Sequence, residues 1–180
     1  MRLQLLWMLV VAGLMAGCAG SSGAIMSYDA DDEQTRYDAG PLTVAEQGGG
    51  GYGSQTSIQL RVRATCEGED CVPDEARMTF SAEGESDVAI SSRKVSVAAD
   101  DQTFEWGREV NWRREGDMQS IAGHIVSITL PLSDLDEIAN ASAVEGRLGD
   151  LTLNMRRVQS RLQDFVQTAQ NPSDARQAQG

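Results

Sequence analysis

Cys66 and Cys71 stand in the stretch TCEGEDCVP with four residues between them, around Gly68 and among the acids Glu67, Glu69 and Asp70. In an exported chain such a pair is expected to close a structural disulfide. A loop that short stabilises a fold by roughly 2 kcal/mol on the chain-entropy account. Thiol exchange typically uses two intervening residues, and the acidic surroundings disfavour a reactive thiolate. Zinc needs three or four ligands, and the only imidazole is His124. With Asp74 and Glu75 the same acids could offer oxygen ligands to calcium, yet their spacing is not that of an EF-hand, and a solvated turn is the plainer alternative.

No other catalytic pattern stands out. There is no Gly-x-Ser-x-Gly elbow, and His124 alone would have to serve any triad. Glu105 and Glu109 are carboxylates that folding could pair, as a glycosidase requires, but nothing in their spacing selects them. Phosphate loops and dinucleotide fingerprints are absent from the sequence. No catalytic residue, cofactor or metal is therefore assigned. The candidate partner-binding residues are Trp106, Arg108, Trp112, Arg113 and Arg114, a locally basic patch on an acidic chain. If alternation runs unbroken from Phe104 to Trp112, the two tryptophans share one hairpin face. They then either fill the core or serve as an anchor for a protein or glycan.

The third cysteine lies near the amino terminus. Arg2 is followed by an apolar run over residues 3–15 and by the small residues Ala16 and Gly17, the layout of a secretory signal peptide. The run is too short to span a bilayer core of about 30 Å. Met15, Ala16, Gly17 and Cys18 resemble the lipobox of bacterial lipoproteins, with Met15 where leucine is commonest. The resemblance covers about the first twenty residues. It implies cleavage before Cys18, diacylglycerol on its thiol, and stable anchoring by two or more acyl chains. With Ala19 rather than Asp after the cysteine, it also implies sorting to the outer membrane in a diderm cell. Three cysteines leave one over if Cys66 and Cys71 pair, which agrees with Cys18 as the lipidation site.

The chain carries 27 acidic against 15 basic side chains. That balance argues against nucleic acid as a partner and against docking of the domain on anionic lipid. It fits a solvated exported protein, and a saline habitat would give the same bias.

These residues need elements to position them. Residues 1–17 are the signal peptide. Residues 18–55 lack sustained apolar periodicity and read as a flexible acidic and glycine-rich tether, with a reach of about 30 to 35 Å and with Tyr28, Tyr37 and Tyr52 solvated. Residues 56–169 form the expected globular domain. SIQLRVRATC alternates Ile58, Leu60, Val62 and Ala64 against Gln59, Arg61, Arg63 and Thr65, a strand with one buried face. ARMTFSA repeats the pattern, DVAISSRKVSVAAD offers two short strands around Ser91 to Arg93, TFEWGREVNWR sets Phe104 with Trp106 and Val110 with Trp112 at the same spacing, and GHIVSITLPL gives another strand. Ser133 is placed to cap a short helix, Gly149-Asp150 to turn a hairpin, and residues 156–169 to form an amphipathic helix. Pro172 ends that helix, and residues 170–180 are expected to be a disordered tail. The fold class is α+β, mainly antiparallel β as a sandwich or single sheet, with a short helix and a C-terminal amphipathic helix.

The function expected is that of a membrane-anchored envelope lipoprotein. Its non-catalytic domain would bind, or help assemble, another envelope protein. A carbohydrate- or small-ligand-binding module is the alternative, and a carboxylate hydrolase a third.

Overall fold

The computed structural model describes residues 23–47, 56–83, 94–106, 111–115 and 123–179. Cys18, Tyr52, Arg108 and Glu109 lie outside them. The class is α+β, with two antiparallel sheets and three helices among the described residues.

The larger sheet has six strands in the order β1-β2-β3-β4-β8-β7. They are β1 (Ile25–Asp29), β2 (Gln34–Gln47), β3 (Thr56–Glu67), β4 (Glu75–Glu83), β7 (Asn111–Glu115) and β8 (Gly123–Pro131). The smaller sheet runs β10-β9-β5-β6. Its strands are β5 (Val95–Ala99), β6 (Gln102–Trp106), β9 (Val144–Leu148) and β10 (Leu151–Leu153). Alternation explains the core. Leu60, Val62, Met78, Phe80, Val126 and Ile128 bury one face of the large sheet, as period-two patterning requires.

The expected tether is overturned over residues 25–47. Residues 25–47 form β1 and β2, and β2 pairs with β3 along nearly its whole length, from Gln34↔Glu67 to Gln47↔Thr56. Thr35, Tyr37, Ala39 and Val44 are buried in the core. The alternation was hidden because the register shifts between Ala39 and Leu42 and again between Thr43 and Ala45, so the buried parity changes within the strand. Gly40 sits at the first shift with φ 116°. A Cβ there would approach the Leu60 carbonyl oxygen to 2.7 Å, so only glycine fits.

Three helices follow. Helix α1 (Leu132–Asn140) buries Leu132, Leu135, Ile138 and Ala139 and packs on β4, β5 and β8, so it spans the two sheets. Ser133 does not cap it. Pro131 holds the cap position, and the Leu132 N–H donates to the Asp74 carbonyl at 2.8 Å. After a 3-10 turn over Met155–Arg157, helix α2 (Gln159–Gln170) lays Leu162, Phe165, Val166 and Ala169 against β1, β2, β3 and α1. Pro172 opens helix α3 (Pro172–Gln179) instead of introducing a disordered tail, since proline suits the first helical position.

The disulfide between Cys66 and Cys71 is formed, with Cα atoms 5.9 Å apart. Its loop is held from several sides. The Thr35 hydroxyl lies 2.6 Å from the Gly68 carbonyl and 2.9 Å from that of Glu69, and the Tyr37 hydroxyl donates to the Cys71 carbonyl at 2.7 Å. The Gly68 N–H donates to the Glu33 carbonyl at 2.8 Å. Arg176 of α3 reaches Glu69 at 3.2 Å and Asp70 at 3.1 Å. Replacing both cysteines by serine is expected to lower the unfolding free energy by about 2 kcal/mol in urea titration. An unchanged midpoint would show that the clamps hold the loop without the covalent link.

Candidate functional site

The inward side chains of β3 and β4, and those of β8 from Val126 onward, are taken up by the core, so the other face of these strands is the one open to chemistry. Alternation places Arg61, Arg63, Thr65 and Glu67 of β3 outward, with Glu75, Arg77 and Thr79 of β4 and Ser127 and Thr129 of β8. A groove of about 840 Å³ runs over this face from Ser127 and Thr129 to Val72 and Asp74. Arg63, Thr65, Glu67, Glu75, Arg77 and Thr129 are exposed along it.

Register fixes the layout. Asp38 of β2 stands opposite Arg63, Arg63 opposite Arg77, and Arg77 opposite Thr129, forming one row across four strands. Two arginines facing one another across adjacent strands repel. Asp38 answers only one side of the row, accepting from Arg63 and lying 3.8 Å from Arg61. Arg77 makes no ion pair among the described residues. Toward the disulfide the sign changes, because Glu67, Asp74 and Glu75 line that end and also lack ion-pair partners among the described residues. In the row next to the arginines, Thr79 and Ser127 hydroxyls lie 3.1 Å apart. The groove is thus polarised along the strands.

The expected aromatic patch is not one hairpin face. Trp106 ends β6 in the small sheet, whereas Trp112, Arg113 and Arg114 lie on β7 at the edge of the large one. Trp112 takes the register position opposite the buried Val126, and Arg114 the position opposite His124. The alternation from Phe104 to Trp112 therefore breaks where the chain changes sheet. Trp106 is half-buried and stacked on Phe104, with ring centroids 6.0 Å apart and planes inclined by 9°. A smaller pocket of about 280 Å³ opens beside it, lined by Ser96, Glu105, Gly149 and Asp150.

No group of three or more metal-ligating side chains gathers among the described residues, so the acids of the disulfide loop do not form a candidate calcium cluster. Their clearest contacts are with Arg176, whose guanidinium answers Glu69 and Asp70. No described helix is long and apolar enough to cross a membrane.

Sequence reasoning missed Arg63 and Arg77 as residues of this groove and weighed Glu75 only as an oxygen ligand for calcium. The polar half of the β3 alternation was the available signal, but only strand pairing shows which charges face one another. No protein family, curated protein or solved structure matches this chain.

Proposed function

We propose that the chain is a lipid-anchored envelope protein, held in the membrane by an acylated Cys18, whose non-catalytic domain binds an envelope component on the outer face of the large sheet. The observation that carries the binding half is the groove itself. One face of the sheet is consumed by the core, while the other presents uncompensated charges of both signs in a single concave strip. A face serving only as solvated surface gains by pairing its charges, as Arg36 does with Asp29 and Asp32.

The anchor half rests on residues 15–18 and the apolar run before them. β1 begins at Ile25, so about seven residue steps separate it from Cys18 and reach at most about 25 Å. The domain then sits close to the headgroups, not at the end of a long tether. Mass spectrometry of the mature chain is expected to show an acylated Cys18 as its first residue, and Cys18→Ser to move the protein out of the membrane fraction. An unmodified terminus in a soluble protein would overturn the anchor. For the groove, a photo-crosslinker at Thr129 is expected to give a discrete adduct in intact envelopes that one at Thr152 of β10 does not. Equal labelling from both positions would overturn the binding face.

A carbohydrate- or small-ligand-binding module is the second reading. The Phe104–Trp106 stack beside the smaller pocket supports it, since a half-exposed indole offers a platform for a sugar ring.

A further inference from the structure

The groove has a cationic middle and an acidic end, and the two do not neutralise each other. Glu75 and Arg77 lie two residues apart on the same side of β4, yet form no ion pair. Strand rise sets the spacing of the two charge groups. Two residues along β4 separate Arg77 from Glu75 by about 7 Å, and four along β3 separate Arg63 from Glu67 by about 13 Å. A ligand that satisfies both ends carries an anion and a cation about 7 to 13 Å apart, the span of two to four extended residues.

The arginine side chooses the anion. Two guanidinium groups facing across β3 and β4 present planar donor forks suited to a carboxylate, and a bound anion relieves their repulsion. Thr129, beside Arg77 in the same row, adds an exposed hydroxyl. The charged groups of the acidic end are all carboxylates and so take an ammonium group. Exposed Val72 lies at the same end, an apolar contact for a small side chain. A purely anionic ligand would meet Glu67, Asp74 and Glu75 with like charge, and a purely cationic one would meet the arginine pair.

We propose that this groove binds a short zwitterionic peptide of about three residues, its carboxylate on Arg63 and Arg77 and its ammonium against Glu75 and Glu67. The assignment rests on the outer face being the binding surface, and it names the chemistry of what binds there.

The test is an amide-resolved NMR titration of the mature chain in neutral detergent micelles. Three probes are used: trialanine with both termini free, its N-acetyl form and its C-terminal amide. Free trialanine is expected to shift the signals of Arg63, Arg77 and Thr129 saturably, and each capped form to bind about fivefold more weakly. Arg77→Gln should abolish the difference between free and amidated peptide while keeping that between free and acetylated. Glu75→Gln should do the reverse. Both side chains are exposed, so thermal unfolding should be unchanged, and Glu67→Gln can serve the acidic arm if Glu75→Gln unfolds. Equal binding of all three peptides, or shifts confined to another face, overturns the proposal. If no peptide binds while crosslinking from Thr129 persists, the ligand assignment alone fails. If both are lost, the reading of the face fails with it.

Discussion

A chain that starts at Thr56 is expected not to fold. A flexible tether would make residues 18–55 dispensable, but the structure makes residues 25–47 the first two strands of the large sheet. Their removal strips Thr35, Tyr37, Ala39 and Val44 from the core and leaves the β3 backbone unpaired along one edge. It also uncovers part of α2, which packs on β1 and β2, and removes the Val44 carbonyl that accepts from Asn154 at 2.6 Å. Single large core truncations cost about 3 to 5 kcal/mol, and a domain's whole margin is about 5 to 15 kcal/mol. Losing several buried side chains with a full strand pairing exceeds that margin. Circular dichroism and NMR dispersion of the truncated chain should show no cooperative transition. A sigmoidal urea curve with native-like dispersion would restore the tether.

The second large effect is centred on Tyr37. It is 1% exposed and among the largest fully buried side chains. Tyr37→Ala should lower the unfolding free energy by about 3 to 5 kcal/mol. Tyr37→Phe keeps the ring and removes only the donor to the Cys71 carbonyl, so it should cost about 1 to 2 kcal/mol. A change within error for the alanine variant would mean that β2 is not part of the core. The two variants also separate packing from the clamp on the disulfide loop.

Tyr37 adds a dependence on alkaline pH. Burial raises its pKa above the usual 10.0, the Asp70 carboxylate raises it further, and Arg176 offsets part of the rise. With the folded value raised, the folded state holds its proton more tightly than the unfolded chain. Its contribution to stability is therefore complete below about pH 10 and is lost as pH climbs toward the folded value. The Phe variant should lack that part of the alkaline decline, which parallel urea titrations at pH 9 and above would reveal as a smaller slope.

How much was legible follows from how each segment encodes its partner. β3, β4 and β8 alternate without interruption, so their buried rows could be named residue by residue. The β9–β10 hairpin was legible from Gly149-Asp150, and α2 from its apolar spacing. β2 was not. Its buried residues change parity at two register shifts, and the acids before it and the glycines after it mimic the composition of a linker. Helix α3 was missed for a related reason. It buries little of its own, and part of what holds it is long-range, through Arg176 to Glu69 and Asp70.

The sequence by itself determined the class, the buried rows of the regular strands and the Cys66–Cys71 pair, because each depends on residues close together in the chain. Tertiary structure decided that Tyr37 is core, that Trp106 and Trp112 belong to different sheets, and that Arg63 faces Arg77 beside unpaired Glu75. Those facts depend on register between strands far apart in sequence. Strand register is set by the whole buried face together, and no local pattern states it.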